Sequence, residues 1–237
     1  MTWRKYIPAL CVAALFVVAG CNSGGDAEVA SDGAEGDVAQ AASRQPGPPP
    51  KPAKPRVELE TNYGTLIIEL DEEKAPLTVA NFLEYVDSGH YDGTIFHQIV
   101  SDYVALGGAY TAELDGKSEG IAIRNEAHNG LKNLRGTVAM ARELDRIDSS
   151  TCQFFVNLQD NQELDHRGRT PEDYGYCVFG RVVSGMEVVD KIARVETRST
   201  DQFELIPVEP VVIRSAQRVG ETPAARVARQ PTGTTVR

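Results

Sequence analysis

Side chains with catalytic or metal-binding chemistry are scattered along this chain and do not fall into known catalytic spacings. Ser149-Ser150 lacks the glycine-flanked turn of a nucleophile elbow, and Gly107-Gly108 lacks the following Lys-Ser/Thr of a phosphate loop. Asp165-His166 is typical of a turn. The four histidines have no metal-ligand spacing and none lies near a cysteine pair: His90, His97, His128 and His166. We therefore expect neither a metal site nor a cofactor.

The sequence before Cys21 is typical of a segment that is removed after export. Arg4 and Lys5 precede an apolar run over residues 6–18, which is shorter than the roughly 20 residues that span a bilayer, so a signal peptide is favoured. Val18-Ala19-Gly20-Cys21 resembles the lipobox of bacterial lipoproteins. That resemblance implies cleavage after residue 20, a lipid on Cys21 that binds the membrane, and a bacterial envelope location with the domain facing the periplasm or exterior. An uncleaved anchor helix with an incidental cysteine is the alternative.

Residues 21–56 have the composition of a stalk. Small residues and isolated acids come first, followed by Pro46-Gly47-Pro48-Pro49-Pro50-Lys51-Pro52, which favours extended polyproline II. Residues 220–237 are polar and without periodicity. Neither segment has enough apolar surface to fold by burial, so we expect both to be disordered. What remains, residues 57–219, is one domain of ordinary size.

Charge and cysteine content narrow the possible partners. The formal net charge is −10, and no Lys/Arg cluster interrupts the domain, which argues against nucleic acid binding. Cys152 and Cys177 remain in the domain. They either form a disulfide or are two separate small core residues, and the second interpretation is favoured. A tethered monomer is the default expectation.

The elements that would position a site are mainly short strands. Residues 57–61 and 65–70 alternate as half-buried strands, and further β-rich runs cover residues 94–100, 136–140, 153–158, 177–183 and 211–219. Pro76 begins a helix whose stripe is Val79, Phe82, Leu83 and Val86, with Gly89 as its end. Ser184-Gly185-Met186-Glu187 indicates a capping box before a second helix, with Val189 and Ile192 behind it. The pattern predicts a sandwich or closed barrel.

Several short motifs identify a family. Phe96-His97-Gln98-Ile99 followed by Gly107-Gly108 resembles the cyclophilin segment Phe-His-Arg-Ile, then Gln-Gly-Gly. The resemblance continues through motifs in the family's order: Asn125-Glu126-Ala127, residues 136–141, residues 153–157, Leu164-Asp165-His166 and residues 178–182. The domain is similar in particular to bacterial periplasmic cyclophilins, which share Tyr176. The resemblance implies an all-β-dominated fold, a closed eight-stranded antiparallel barrel capped by two α-helices, and cis/trans isomerisation of X-Pro bonds.

The same resemblance implies the site residues. Gln98 takes the place of the family's catalytic arginine, and Leu106 takes the place of a glutamine near the substrate backbone. Glu163 replaces a larger side chain at the pocket rim. Arg142 is a cation that stands in for the missing arginine if it reaches the proline nitrogen. The remaining substrate-binding positions are those of the proline pocket (Tyr103, Val104, Phe155, Leu164 and Tyr176) and those beside the bound peptide (Ala141, Arg142 and Gln153).

Two functional hypotheses follow. One is a peptidyl-prolyl isomerase that assists the folding of exported proteins at a reduced rate, because Gln98 is neutral. The other is a cyclophilin-fold module that binds proline-containing segments of exported proteins as a chaperone without useful catalysis. Fold analogy favours the enzyme, whereas Gln98 and Leu106 favour the binding module.

Overall fold

A computed structural model describes residues 54–220, which contain ten strands and two helices. The strands are β1 (Arg56–Thr61), β2 (Gly64–Leu70), β3 (Thr94–Val100), β4 (Val104–Thr111), β5 (Thr137–Met140), β6 (Phe154–Asn157), β7 (Val178–Ser184), β8 (Thr197–Arg198), β9 (Ile206–Pro207) and β10 (Val211–Arg218). The helices are α1 (Pro76–Asp87) and α2 (Met186–Ile192). The expected signal peptide, Cys21, nearly all of the stalk and the tail beyond residue 220 lie outside the described residues.

Eight of the strands form one closed antiparallel barrel. Their order around the barrel is β1-β10-β3-β4-β6-β5-β7-β2, and β2 pairs with β1 to close it. The short β8–β9 ladder is separate. The prediction of a barrel with two helices is therefore confirmed. β4 was not predicted as a strand, because Gly107-Gly108-Ala109 interrupts the apolar and polar alternation.

The interior of the barrel is filled by the apolar faces of strands and helices. Leu66, Ile68 and Leu70 are fully buried there, as their alternation on β2 predicts. α1 buries the predicted stripe, and Phe82 packs its ring against Tyr91, Phe154 and Phe179. We call this set of buried side chains the interior cluster. It fixes the strands whose opposite faces carry the candidate site.

The two helices begin in ways that local sequence does not indicate. At α1, Ala75 supplies no cap. The carboxylate of Glu126 instead accepts bonds from the Leu77 and Thr78 amides at 3.2 and 2.9 Å and from the Thr78 hydroxyl at 2.7 Å. At α2 the predicted capping box is wrong: Gly185 is the N-cap, with φ of 91°, and no side chain bonds the helix start. Ser184 is the last residue of β7 and lies before the N-cap position, so it does not cap the helix.

The two domain cysteines are separate core residues. Cys152 and Cys177 are both free and buried, which confirms the favoured interpretation. Burial raises the pKa of each thiol to about 12, so neither is a nucleophile at neutral pH. Neither helix within residues 54–220 is long and apolar enough to cross a membrane.

Candidate functional site

One row of residues crosses five barrel strands and holds Gln98. Strand pairing aligns Gln98 on β3 with Leu106 on β4, Leu106 with Phe155 on β6, and Phe155 with Ala139 on β5. Ala139 in turn pairs with Val178 on β7. Directly opposed residues project from the same face of an antiparallel sheet. Because Phe154, next to Phe155, belongs to the interior cluster, this row projects from the outer face.

A bulge in β3 brings Gln98 into this row. Phe96 pairs with Gly107 while Gln98 pairs with the next residue, Leu106, so His97 is an extra residue on β3. Such bulges change the direction in which a side chain points, and they occur frequently beside active sites. In a regular strand without a bulge, Phe96 and Gln98 would share a face, because they are two residues apart. The bulge therefore separates the interior ring from the outer carboxamide.

The apolar residues predicted for the site form one cluster on this outer face, which we call the outer cluster. Its ring pair, Phe155 and Tyr176, meets edge to face with centroids 5.6 Å apart. Ala139 and Val178, which sequence reasoning did not single out, belong to it as well. Alternation from Ala141 to Ala139 is the signal that indicates the first of them. The members are Tyr103, Val104, Leu106, Ala139, Ala141, Phe155, Leu164, Tyr176 and Val178.

Buried polar atoms around the outer cluster have no partner. Within residues 54–220, the Oε1 atom of Gln98, the hydroxyl of Tyr103 and the Oε1 atom of Gln153 are all buried without a hydrogen bond. Burial raises the pKa of Tyr103, so its hydroxyl keeps the proton. Buried polar groups in native proteins are nearly always bonded, and each exception needs an explanation. A ligand could satisfy these three atoms only if the side chains move to expose them, because each has almost no accessible surface.

Gln153 also leads to a residue that sequence reasoning missed. Its Nε2 atom donates to the Glu119 carboxylate at 3.4 Å, and the Thr151 hydroxyl donates to the same carboxylate at 3.1 Å. Glu119 lies in a loop after β4, and no motif indicates it. Its position brings a negative charge to the Gln153 end of the site.

Arg142 has a different role from the one considered for it. Its Nε atom donates to the Gly175 carbonyl at 2.9 Å, and both terminal nitrogens donate to further backbone carbonyls, those of Glu143, Leu144 and Pro171. The guanidinium also lies 5.0 Å from the centre of the Tyr176 ring. Burial lowers the pKa of Arg142. Because these carbonyls accept bonds from four of its five N–H groups and its guanidinium packs on the Tyr176 ring, Arg142 is poorly placed to replace the missing arginine.

The remaining candidate residues are either exposed or hydrogen-bonded to the backbone. Glu163 is exposed on a short 3-10 turn, Gln162–Leu164, that also carries Leu164 of the outer cluster. His90 and His166 share hydrogen bonds with the backbone oxygens of Gly108 and Tyr174. Within residues 54–220, no group of three or more His, Cys, Asp or Glu side chains is placed to hold a metal ion. The arrangement suits binding of an apolar ring beside a neutral amide.

Comparison with known proteins identifies the family. A family model for the cyclophilin type peptidyl-prolyl cis-trans isomerase/CLD matches residues 56–218. The chain belongs to the cyclophilin family. It is 51% identical over 164 residues to the peptidyl-prolyl cis-trans isomerase cyp18 of Streptomyces antibioticus, covering 69% of this chain and 98% of that protein. It is 44% identical over 159 residues to isomerase B of Escherichia coli, covering 67% and 96% respectively.

The cyclophilin fold is also found among solved structures. A Cryptosporidium parvum cyclophilin type isomerase, determined in the presence of the dipeptide Ala-Pro, matches with a TM-score of 0.58 and 26% identity. The match covers 68% of this chain and 97% of that one. That the outer-cluster residues of this cyclophilin contact a substrate stays a prediction.

Proposed function

We propose that this cyclophilin catalyses the cis/trans isomerisation of X-Pro peptide bonds, at a lower rate than cyclophilins that carry the arginine. The observation that carries the proposal is the row in which Gln98 and Leu106 lie beside Phe155 of the buried outer cluster. A ring-sized apolar surface next to an unbonded amide is what the reaction requires. The relatives named as isomerases and the Ala-Pro dipeptide of the structural neighbour support the same assignment.

The reaction needs little beyond differential binding. Rotation about a peptide bond has a barrier of about 18–20 kcal/mol, because the resonance of the amide is lost. An enzyme lowers this barrier by binding the twisted amide more tightly than the planar one. An apolar pocket holds the proline ring, and a hydrogen-bond donor directed at the proline nitrogen stabilises its exposed lone pair. In this chain the outer cluster provides the first function and the Gln98 amide the second.

The neutral donor sets the expected rate. Hydrogen bonds from charged groups contribute about 1.5–3 kcal/mol, whereas those between neutral groups contribute about 0.5–1.5 kcal/mol. Glutamine in place of arginine therefore loses about 1–2 kcal/mol of transition-state stabilisation, which is about five- to thirtyfold in rate. Arg142 does not compensate for this loss, because backbone carbonyls hold its guanidinium.

The Gln98→Arg variant tests this account. Turnover of an X-Pro peptide, followed by NMR exchange with the full chain in detergent, should be weak in the wild type and at least about tenfold faster in Gln98→Arg. Gln217→Arg on β10 is the matched control: it makes the same chemical change on another strand and should leave turnover unchanged. Wild-type turnover equal to that of an arginine-bearing cyclophilin, together with no gain in Gln98→Arg, would show that the donor is assigned wrongly.

A proline-binding module without catalysis is the second candidate. It is favoured by Gln98, which is neutral where the family has an arginine, and by Leu106, which has no polar group. In that case the wild type would bind an X-Pro peptide without accelerating its exchange. Binding that depends on Phe155 with no measurable turnover in either the wild type or Gln98→Arg would decide for the module.

We further propose that the clients are exported proteins and that Cys21 carries a lipid. The lipobox-like Val18-Ala19-Gly20-Cys21 supports this location. Since each buried CH₂ contributes about 0.8 kcal/mol, two or more acyl chains anchor a protein stably. Cys21→Ser should therefore release the protein from the membrane fraction, whereas its retention there would contradict lipidation.

A further inference from the structure

A carboxylate lies at one end of the candidate site. Gln153 precedes β6 and projects from the same outer face as Phe155, because the two residues are two apart in an extended segment. The Ala141 amide donates to the Gln153 carbonyl at 2.9 Å, so the pairing of β5 with β6 continues to this position. The Gln153 side-chain amide and the Thr151 hydroxyl both donate to the carboxylate of Glu119, at 3.4 and 3.1 Å. Glu119 therefore brings its charge to the outer face, beside the outer cluster.

The backbone on both sides of Glu119 is fixed by hydrogen bonds to the rest of the fold. Before it, the Lys117 amide donates to the Ala109 carbonyl at 2.8 Å. After it, the Gly120 amide donates to the Tyr85 hydroxyl at 2.8 Å. The position of the carboxylate is thus largely set before a ligand binds, which lowers the ordering cost of binding.

The charge of Glu119 is not neutralised by a neighbouring side chain. Both of its hydrogen-bond donors are neutral, and no basic side chain within residues 54–220 forms an ion pair with it. The Lys117 ammonium instead donates to the carbonyls of His90 and Asp92, at 2.5 and 2.9 Å. Arg142 likewise donates to backbone carbonyls. Because Glu119 is also exposed, its charge is available to a ligand.

We propose that Glu119 makes the site selective for X-Pro segments that carry a lysine or arginine close to the proline, on one side of it. Gln153 and Phe155 are about 7 Å apart along the chain, since a strand advances about 3.3 Å per residue. An extended peptide that runs along β6 with its proline ring against Phe155 therefore presents to Glu119 a side chain about two or three residues from the proline. The preference applies to one side because Gln153 lies to one side of Phe155. This inference rests on the proposed function, because it assumes that proline binds at the outer cluster.

A series of peptides, measured with the full chain in a non-ionic detergent, tests this selectivity. Each peptide has one proline in a neutral sequence, with lysine, glutamine or glutamate at one of the three positions before or after it. NMR exchange gives kcat/KM, and titration gives Kd. In the wild type, lysine should be favoured over glutamate about fivefold near one side of the proline only, because Glu119 attracts the first and repels the second. The ratio should approach one in about 1 M salt, where the Debye length is about 3 Å.

Two substitutions of Glu119 and one control isolate the charge. Glu119→Gln keeps an oxygen that accepts the bonds from Gln153 and Thr151, so it should lower the lysine-to-glutamate ratio to about one without disturbing the fold. Glu119→Lys should reverse the preference. Glu60→Gln on β1 is the matched control, because it makes the same change in net charge on the opposite side of the barrel, and it should keep the wild-type ratio.

A wild-type ratio that persists in Glu119→Gln would overturn the assignment, as would equal values for lysine and glutamate at every position in the wild type. Failure of the proposed function gives a different result: the glutamine peptides would bind without faster exchange. The lysine-to-glutamate ratio of Kd would then decide the role of Glu119 by itself. A series in which no peptide binds or exchanges faster would overturn both the isomerase and the selectivity.

Discussion

The interior cluster and the outer cluster are both buried and apolar, but they differ in how their polar atoms are satisfied. Tyr91, in the interior, donates its hydroxyl to the Cys152 carbonyl at 2.9 Å. Tyr103, in the outer cluster, is buried as well, and its hydroxyl has no partner within residues 54–220. A buried unsatisfied group costs about 1–3 kcal/mol. The polar atoms of the interior are thus satisfied within the fold, whereas the Tyr103 hydroxyl beside the outer cluster is not.

Substitutions of Phe154 and Phe155 should give the largest effects that distinguish the interior cluster from the outer cluster. The two residues are neighbours on β6 and face opposite ways. Phe154 packs edge to face against Phe82, Tyr91 and Phe96, so Phe154→Ala should lower the free energy of unfolding by about 3–5 kcal/mol. Phe155→Ala should instead reduce kcat/KM for an X-Pro peptide at least about thirtyfold, as loss of a central aromatic contact of about 2 kcal/mol would. Chemical denaturation and the exchange assay measure the two effects. Unchanged turnover and unchanged peptide binding in Phe155→Ala would remove the outer cluster from the site.

His97 and Gln98 sharpen the comparison at the bulge, because aromatic rings cover His97, whereas Gln98 lies in the row of the outer cluster. The rings of Tyr110 and Phe203 cover His97, and burial lowers its pKa to about 3. The unfolded chain therefore binds this proton first, so the stability is full above the unfolded pKa of about 6.5 and falls as the pH approaches 3. Between pH 7 and pH 4 the free energy of unfolding should drop by about 3 kcal/mol through His97 alone.

His97→Phe isolates this contribution. Phenylalanine keeps a ring between Tyr110 and Phe203 and has no proton to bind. Denaturation at several pH values should show that the acid-induced loss of stability is smaller in the variant by the amount assigned to His97. The same pH dependence in both proteins would mean that His97 is not sealed.

Tyr91 and Tyr103 give the smallest expected effect on the free energy of unfolding, but each substitution removes only the hydroxyl on which the comparison of the clusters depends. Tyr91→Phe leaves the Cys152 carbonyl without its donor, so it should lower the free energy of unfolding by about 1–2 kcal/mol. Tyr103→Phe removes a hydroxyl that has no partner, so it should leave the free energy of unfolding unchanged or raise it slightly. If Tyr91→Phe and Tyr103→Phe destabilise the protein equally, the two clusters do not differ in how their tyrosine hydroxyls are satisfied.

Periodicity in the sequence was sufficient to predict those features of the fold that lie within a single helix or strand. The Val79, Phe82, Leu83 and Val86 stripe predicted α1 and its buried face, since helical spacing directly determines which side chains share a side. The start of the same helix was not predictable, because its cap is Glu126, 48 residues beyond Thr78. β4 was missed because its glycines carry no side-chain pattern.

The candidate site depended on the family resemblance and on strand register. Gln98 was located by the Phe-His motif, yet its position beside Leu106 requires the extra residue in β3, which alternation alone does not indicate. The partners of Arg142 were hidden for a similar reason. Its carbonyl acceptors Pro171 and Gly175 lie about thirty residues away in a loop, so the sequence around Arg142 does not show that backbone groups hold its guanidinium.

The closure of the barrel affects how this protein can pair with other extended chains. Open sheets present a lone outermost strand whose free amides and carbonyls recruit other extended chains and so seed aggregation. In residues 54–220 each barrel strand has two neighbours, so the barrel itself offers no such template. A peptide that binds as proposed would therefore not become an added strand of the barrel, and its release would break no strand ladder.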